Sequence, residues 1–302
     1  MYLSDYHTHC SLSFDSKTPV EDMVRAGIAQ GLQEMCLTDH VDLFRPRETA
    51  RWEHDFSNRE ETFARADQAA DGKIIVRRGI ELGEAMRDFA YADELLSRLP
   101  ELDFVIGSQH QLSEKYDWND LYFMPEATEQ EAREQIADYL TLVLETAKWG
   151  KFSVLGHLTL PLRYMNENHG MHMSFDGFED EVAQVFRALI EKTLPLRYMN
   201  ENHGMHMSFD GFEDEVAQVF RALIENGCGI ECNVNRGNTP LPDAKWLRLY
   251  HELSGEIITI GTDAHTPEFV GMRARETQEL LKSCGLNYVC TFEKKKPVFH
   301  KI

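Results

Sequence analysis

Short apolar runs alternate with amphipathic stretches along nearly the whole chain, and that alternation predicts strands each followed by a helix. Leu3–His9 reads as the first strand. The helix after it opens at Thr18-Pro19-Val20-Glu21, a capping box with proline at the first helical position, and stops at Gly31. Glu34–Thr38 is the second strand, and Ser57-Asn58-Arg59-Glu60 caps a helix running to about Asp71. Ile74–Ile80 is the third strand, Phe89–Leu99 a helix and Asp103–Ile106 the fourth strand. Thr128-Glu129-Gln130-Glu131 then caps a long amphipathic helix ending near Trp149-Gly150. Phe152–Leu155, Gly229–Val234 and Ile257–Gly261 are the fifth, sixth and seventh strands. Helices at Asp243–Ser254 and about Arg273–Ser283 and a closing strand near Tyr288–Phe292 complete the series. Seven such units in a row predict an α/β fold with a parallel sheet, closed or nearly closed into a TIM-like (β/α)7 barrel. No linker rich in proline, glycine or serine divides the chain, so residues 1–302 read as one domain.

One segment breaks the pattern. Thr159–Glu191 recurs unchanged as Thr193–Glu225, with Lys192 between the copies. Repeat architectures carry multiple, diverged units, so two identical copies indicate a recent or engineered tandem duplication between strands five and six. Each copy holds a loop and an amphipathic helix, and one βα unit has room for one of each. The apolar face of the surplus helix therefore needs another surface, in this chain or in a second copy as a homo-oligomer.

The formal net charge of −20 argues against nucleic acid or an anionic membrane as a partner, because phosphate backbones are repelled. The cysteines show no C-x-x-C pair and fall in or beside apolar runs, which predicts buried, reduced thiols. No run reaches membrane-spanning length, and the chain starts directly in a strand-like segment; the expectation is a cytoplasmic protein.

The candidate chemistry stands at the strand ends. His7-Thr8-His9 alone is a weak signal, since strand alternation also puts two imidazoles on one face for packing. It gains weight from Thr38-Asp39-His40, Gly79-Ile80-Glu81, Gly107-Ser108-Gln109-His110, Gly156-His157 and Thr262-Asp263-Ala264-His265, each in or just after a strand-like run. Carboxyl ends of parallel strands converge on one mouth of a barrel. Imidazoles and carboxylates gathered there are ligands for zinc, iron or manganese, and burying that many polar groups without metal is costly.

Taken in order, these motifs resemble those of the PHP (polymerase and histidinol phosphatase) superfamily, from the first residues to about His265. The resemblance implies a distorted seven-stranded (β/α) barrel with three divalent metal ions. Carried over residue by residue, one ion is held by His7, His9, Glu81 and Asp263. A second is held by His40, His265 and Asp15, the last standing where some members have a histidine. The third is held by His110 and His157, with Glu81 shared. Glu84 competes with Glu81, but three residues on it reads as a supporting or surface carboxylate, and Cys10 reads as a core or supporting thiol. The implied reaction is hydrolysis of a phosphomonoester by a metal-bridging hydroxide, without a Ser or Cys nucleophile. Chain length and Gly156-His157 followed by Arg163-Tyr164 are most similar to the histidinol-phosphate phosphatase branch. L-Histidinol phosphate is then the expected small phosphorylated substrate, and the alternatives are a nucleotide or another small ester, or a catalytically silent metal-binding barrel. Arg163, its copy Arg197, and Arg236 are candidate phosphate clamps; continuity from His157 favours Arg163. Asp39 is expected to orient His40 or to protonate the leaving alkoxide. The histidines of the repeat, His169, His172, His203 and His206, read as loop residues, and Lys294-Lys295-Lys296 as a solvated turn.

Overall fold

The computed structural model describes residues 2–125, 127–155, 160–163, 230–234 and 244–302. Its parallel strands are β1 (Ser4–Thr8), β2 (Glu34–Leu37), β3 (His40–Asp42), β4 (Ile75–Gly83), β5 (Phe104–Ser108), β6 (Val154–Leu155), β7 (Ile230–Asn233) and β8 (Ile258–Gly261). One ladder runs β1-β2-β4-β5-β6, with β3 on the upper edge of β4, and β7 pairs with β8. The two sheets meet after β8, where the Ala264 N–H donates to His7 O at 3.0 Å and the His9 N–H to Ala264 O at 2.9 Å. The result is an α/β fold built on a curled parallel sheet. Among the described residues no ladder joins β6 to β7. Apart from residues 160–163, both copies of the repeat lie outside the described residues.

Two layers of apolar side chains hold the sheet. On its outer face Leu3, Met35 and Leu37 pack against Val20, Met23 and Val24 of α1 (Val20–Gln30) and Phe63 and Ala66 of α2 (Arg59–Ala70). Further round, Ile80, Leu82 and Val105 meet α3 (Phe89–Arg98) and α4 (Glu129–Trp149). The same layer includes Leu160 from the short α5 (Leu160–Arg163), Leu247 and Tyr250 of α6 (Ala244–Glu252) and Leu281 of α7 (Ala274–Ser283). On the inner face Tyr6, Cys36, Phe104, Ile106 and Val154 surround Phe292. Phe292 arrives on β9 (Tyr288–Glu293), which pairs antiparallel with β10 (Lys296–Lys301). Lys294 and Lys295 make the turn of that hairpin with φ of 50° and 61°, as a tight two-residue connection requires. No described helix is long and apolar enough to cross a membrane.

Four local features differ from the sequence expectation, one being that Asn58 rather than Ser57 stands at the cap of α2 and makes no side-chain cap bond. The capping box at Thr128 is present, but Pro19 occupies the cap position of α1, and the Thr18 hydroxyl donates instead to His265 O at 3.2 Å. The strand expected over Ile74–Ile80 extends to Gly83 in β4, which puts Glu81 within the ladder. β3 was not foreseen, because three residues are too few to display a period. It sets His40 beside Glu81 and Asp42 beside Gly83 in register.

Candidate metal centre

A bulge in β1 aims the first two histidines. Asp5 aligns with Met35 and Thr8 with Leu37, so one extra residue of β1 stands between these pairs. Met35 and Leu37 share the outer face, hence Asp5 and Thr8 do too, and His7 and His9 flank Thr8 on the inner one. Asp5, fully buried, uses its carboxylate to accept the Thr262 N–H at 3.0 Å, the Gly271 N–H at 3.0 Å and the Thr262 hydroxyl. That anchors the segment after β8, which carries Asp263 and His265. Asp263 itself stands at φ 58°, a left-handed conformation that aspartate tolerates better than most residues.

Around this frame the imidazoles and carboxylates converge. His7 Nε2 lies 3.4 Å from both Glu81 Oε2 and Asp263 Oδ1. His9 Nε2 lies 3.4 Å and 3.7 Å from the same two oxygens. Asp15 Oδ2 faces His265 Nε2 at 3.1 Å and His40 Nε2 at 3.5 Å. His110 Nε2 lies 3.4 Å from Glu81 Oε1. Three sets each bring their ligand atoms within 4.8 Å of one another: His7, His9 and Glu81; His9, Asp15, His40 and His265; and His40, Asp42 and His110.

These separations fit metal ligation better than ion pairing. A tetrahedral ion with ligands at about 2.1 Å holds them about 3.4 Å apart, whereas a charge-assisted hydrogen bond closes to about 2.8 Å. His9 Nε2 and Asp42 Oδ1 are buried and make no hydrogen bond, although both belong to the converging cluster. The donor set, imidazole and carboxylate, suits a borderline divalent ion.

Neighbouring groups decide which ring nitrogen faces the centre. Ser13 Oγ accepts the backbone N–H of His40 at 2.9 Å and lies 3.1 Å from His9 Nδ1. His265 Nδ1 lies 3.2 Å from Asp263 O, and the Ser16 and Thr18 hydroxyls donate to His265 O. With Nδ1 of His9 and His265 engaged in this way, Nε2 of these two rings points inward. Ser108 Oγ donates to Glu81 Oε1 at 2.5 Å and fixes the carboxylate that all three expected shells border.

The field is strong. Burial pulls His9 down to about 3, aided by the nearby His265 and His40. Burial also works against charge on His40 and His110, yet for His40 the Glu81 and Asp42 carboxylates, and for His110 those of Asp42 and Glu81, hold the imidazole well above its ordinary range. Asp15 goes the other way: despite burial, His265 and His40 keep it ionised far below the usual carboxylate range. Glu84 is pushed up to about 8 by burial and by Asp42.

The structure corrects some expectations and leaves others outside its reach. Asp39 neither orients His40 nor faces the centre. Its carboxylate accepts the Cys10 N–H at 2.6 Å and the Cys10 thiol at 3.3 Å, because adjacent residues of an extended chain point to opposite sides. Cys10 accordingly packs behind the centre, its thiol pushed well up by burial and Asp39, and is not among its candidate ligands. Glu84 is not at the surface: it is fully buried and accepts the His110 N–H at 2.7 Å. His157, Arg197, Arg236 and the side chain of Arg163 lie outside the described residues. Asp42, Ser13 and Ser108 escaped the sequence reading. Asp42 alone had a signal there, since His40-Val41-Asp42 repeats the alternation of His7-Thr8-His9.

Known proteins share both fold and sequence with this chain. Histidinol-phosphatase of Lactococcus lactis is 26% identical over 297 residues, covering 95% of this chain and 93% of that protein. A crystal structure of histidinol phosphate phosphatase from Lactococcus lactis, complexed with zinc, L-histidinol and phosphate, superposes with a TM-score of 0.65. It is 21% identical, and 98% of each chain is covered. The PHP domain family matches residues 5–235, and the chain belongs to that family.

Proposed function

We propose that this chain is a metal-dependent phosphomonoesterase that hydrolyses L-histidinol phosphate to L-histidinol and phosphate, a step of histidine biosynthesis. The observation that carries this reading is the convergence of five histidines with Asp15, Glu81 and Asp263 at ligand-to-ligand separations near 3.4 Å. It is supported by kinship with the Lactococcus protein, which holds zinc, L-histidinol and phosphate in its crystal.

In this reading residues 1–302 form one domain, a distorted (β/α)7 barrel. His7, His9, Glu81 and Asp263 hold one divalent ion; His40, His265 and Asp15 a second; His110 and His157, with Glu81 shared, a third. Bound there, zinc, iron or manganese would acidify water and neutralise phosphoryl oxygens. The chain's own residues do the rest. Glu81 and Asp263 supply the negative charge that keeps cations at the strand ends, and Ser13 and Ser108 fix the orientation of their neighbours. Arg163, Arg197 and Arg236 are the candidate clamps for the phosphate. During hydrolysis a water oxygen forms the new P–O bond, the ester P–O bond breaks, and the leaving alkoxide takes a proton. A covalent phosphoenzyme is not part of the reading: Cys10 is buried with a raised thiol pKa, and the Ser13 and Ser108 hydroxyls are engaged.

Phosphate release from L-histidinol phosphate and from a panel of nucleoside monophosphates, measured on protein of known metal content, tests the proposal. Turnover of histidinol phosphate at least tenfold above the panel is the expected result. Faster cleavage of a nucleotide would overturn the substrate, and no release at full metal occupancy would overturn the activity.

A further inference from the structure

The ring nitrogens opposite the centre carry an inference about a residue outside the ligand set. His40 presents Nε2 to Asp15 and His110 presents Nε2 to Glu81, which leaves the Nδ1 of each ring for a second partner. Both Nδ1 atoms stand near one shared atom, Asp42 Oδ1, at 3.5 Å from His40 and 3.7 Å from His110, with Glu81 Oε2 also 3.4 Å from His40 Nδ1 and Glu84 Oε1 3.6 Å from His110 Nδ1. Asp42 is buried, and at these separations neither that oxygen nor either Nδ1 makes a hydrogen bond. Its place is built by β3 and β4, where Asp42 aligns with Gly83. A Cβ at Gly83 would overlap the Asp42 carboxylate and stand 3.2 Å from His110 Nδ1. Glycine there leaves the space in which the carboxylate lies between the two rings. From the other side His54 Nε2 meets the Asp42 carbonyl at 2.6 Å, which fixes the backbone of β3.

We propose that Asp42 is a positioning residue that holds His40 and His110 together in the Nδ1–H tautomer, coupling the second and third metal shells through one carboxylate. The inference rests on reading His40 and His110 as ligands through Nε2. A ligating histidine normally gives its other N–H to a carboxylate, carbonyl or water, and loss of that partner weakens metal affinity by about 10- to 100-fold. His9 has Ser13 in that position and His265 has Asp263 O. Asp42 serves two rings at once, so one substitution strikes both shells.

Zinc-loaded wild type and the Asp42→Asn and Gly83→Ala variants test this by two readouts independent of turnover. One is zinc retention against a competing chelator. The other is ring ¹⁵N resonances of selectively labelled histidine, assigned with His40→Gln and His110→Gln. Expected in wild type are Nδ1–H signals for both rings. Expected in Asp42→Asn is weakening of two zinc ions by about 10- to 100-fold, with both ring signals displaced. Gly83→Ala, which keeps the carboxylate but fills its space, should move the same two rings. Unchanged rings and affinity in Asp42→Asn would overturn the proposal. So would loss of a single ion with the tautomers preserved, which would make Asp42 a direct ligand, or a wild type that binds no zinc. A wild type that binds zinc as described yet releases no phosphate would sink the proposed activity and leave this role standing.

Discussion

Two buried clusters of charge occupy opposite ends of the same sheet, and their distances differ in kind. At the amino ends of the strands Glu34 accepts the Tyr2 hydroxyl at 2.7 Å, the Tyr6 hydroxyl at 2.6 Å and Arg77 Nε at 2.7 Å. At the carboxyl ends the histidine–carboxylate pairs mostly stand at 3.4 to 3.7 Å. The first set is closed: donors and acceptors are matched and nothing more is needed to satisfy them. The second has too many acceptors and rings at spacings that hydrogen bonds do not use but a shared cation does. Burial alone therefore does not mark a functional site. Spacing does, because it separates a finished ion pair from a coordination shell.

Replacing the carboxylate at the middle of the open cluster has the largest expected effect. Glu81→Ala should lower phosphate release by about three orders of magnitude or more and reduce bound metal, as read by a turnover assay with elemental analysis. At the closed end the order reverses. Glu34→Gln should cost about 1 to 2 kcal/mol in urea unfolding, because Arg77 loses its nearest carboxylate and keeps only the longer contacts to Glu293 and Asp103. The metal content of the folded protein should stay unchanged. Equal effects of both substitutions on metal content would erase the comparison.

Proton linkage sharpens it further. In the metal-free chain His40, His110 and His265 sit above their ordinary range, so their contribution to stability is fully present below about pH 6.5 and is lost as pH rises through their folded values. His9, held down to about 3, acts oppositely and disfavours the fold as pH falls below about 6.5. Three raised rings against one lowered ring mean that metal displaces protons on binding. The rise in Tm produced by zinc should therefore grow from pH 6 to pH 8, and zinc titrations in two buffers should report proton release. A zinc effect independent of pH would contradict these protonation states. The smallest effect on turnover belongs to Asp39→Asn. With its carboxylate on Cys10 rather than on His40, kcat should fall by less than about tenfold, while Tm drops by a few degrees. A larger loss of kcat would return Asp39 to the centre.

The strand ends were readable in the sequence because each ligand motif follows an apolar run that must become a buried parallel strand. Legibility failed where geometry is not periodic. Asp39 and His40 are neighbours in sequence but not in space, because an extended backbone points them to opposite sides. Asp42 gives little signal because β3 is too short to show its alternation. For Glu84 the sequence leaves a supporting and a surface role open; β4 runs on to Gly83, and a left-handed residue then turns the carboxylate inward to the supporting one. Thr18 looked like a helix cap, but its hydroxyl holds the carbonyl of His265. The cluster around Glu34 gave no warning, since its members come from three strand starts and are recognised only by their short contacts.

Diffraction from zinc-loaded crystals, with anomalous maps at the zinc edge, is the most direct test of the difference between the two ends. The predicted result is peaks enclosed by His7, His9, Glu81 and Asp263 and by Asp15, His40 and His265, and none near Glu34. An empty carboxyl-end cluster in crystals that hold zinc elsewhere, or zinc at Glu34, would contradict it.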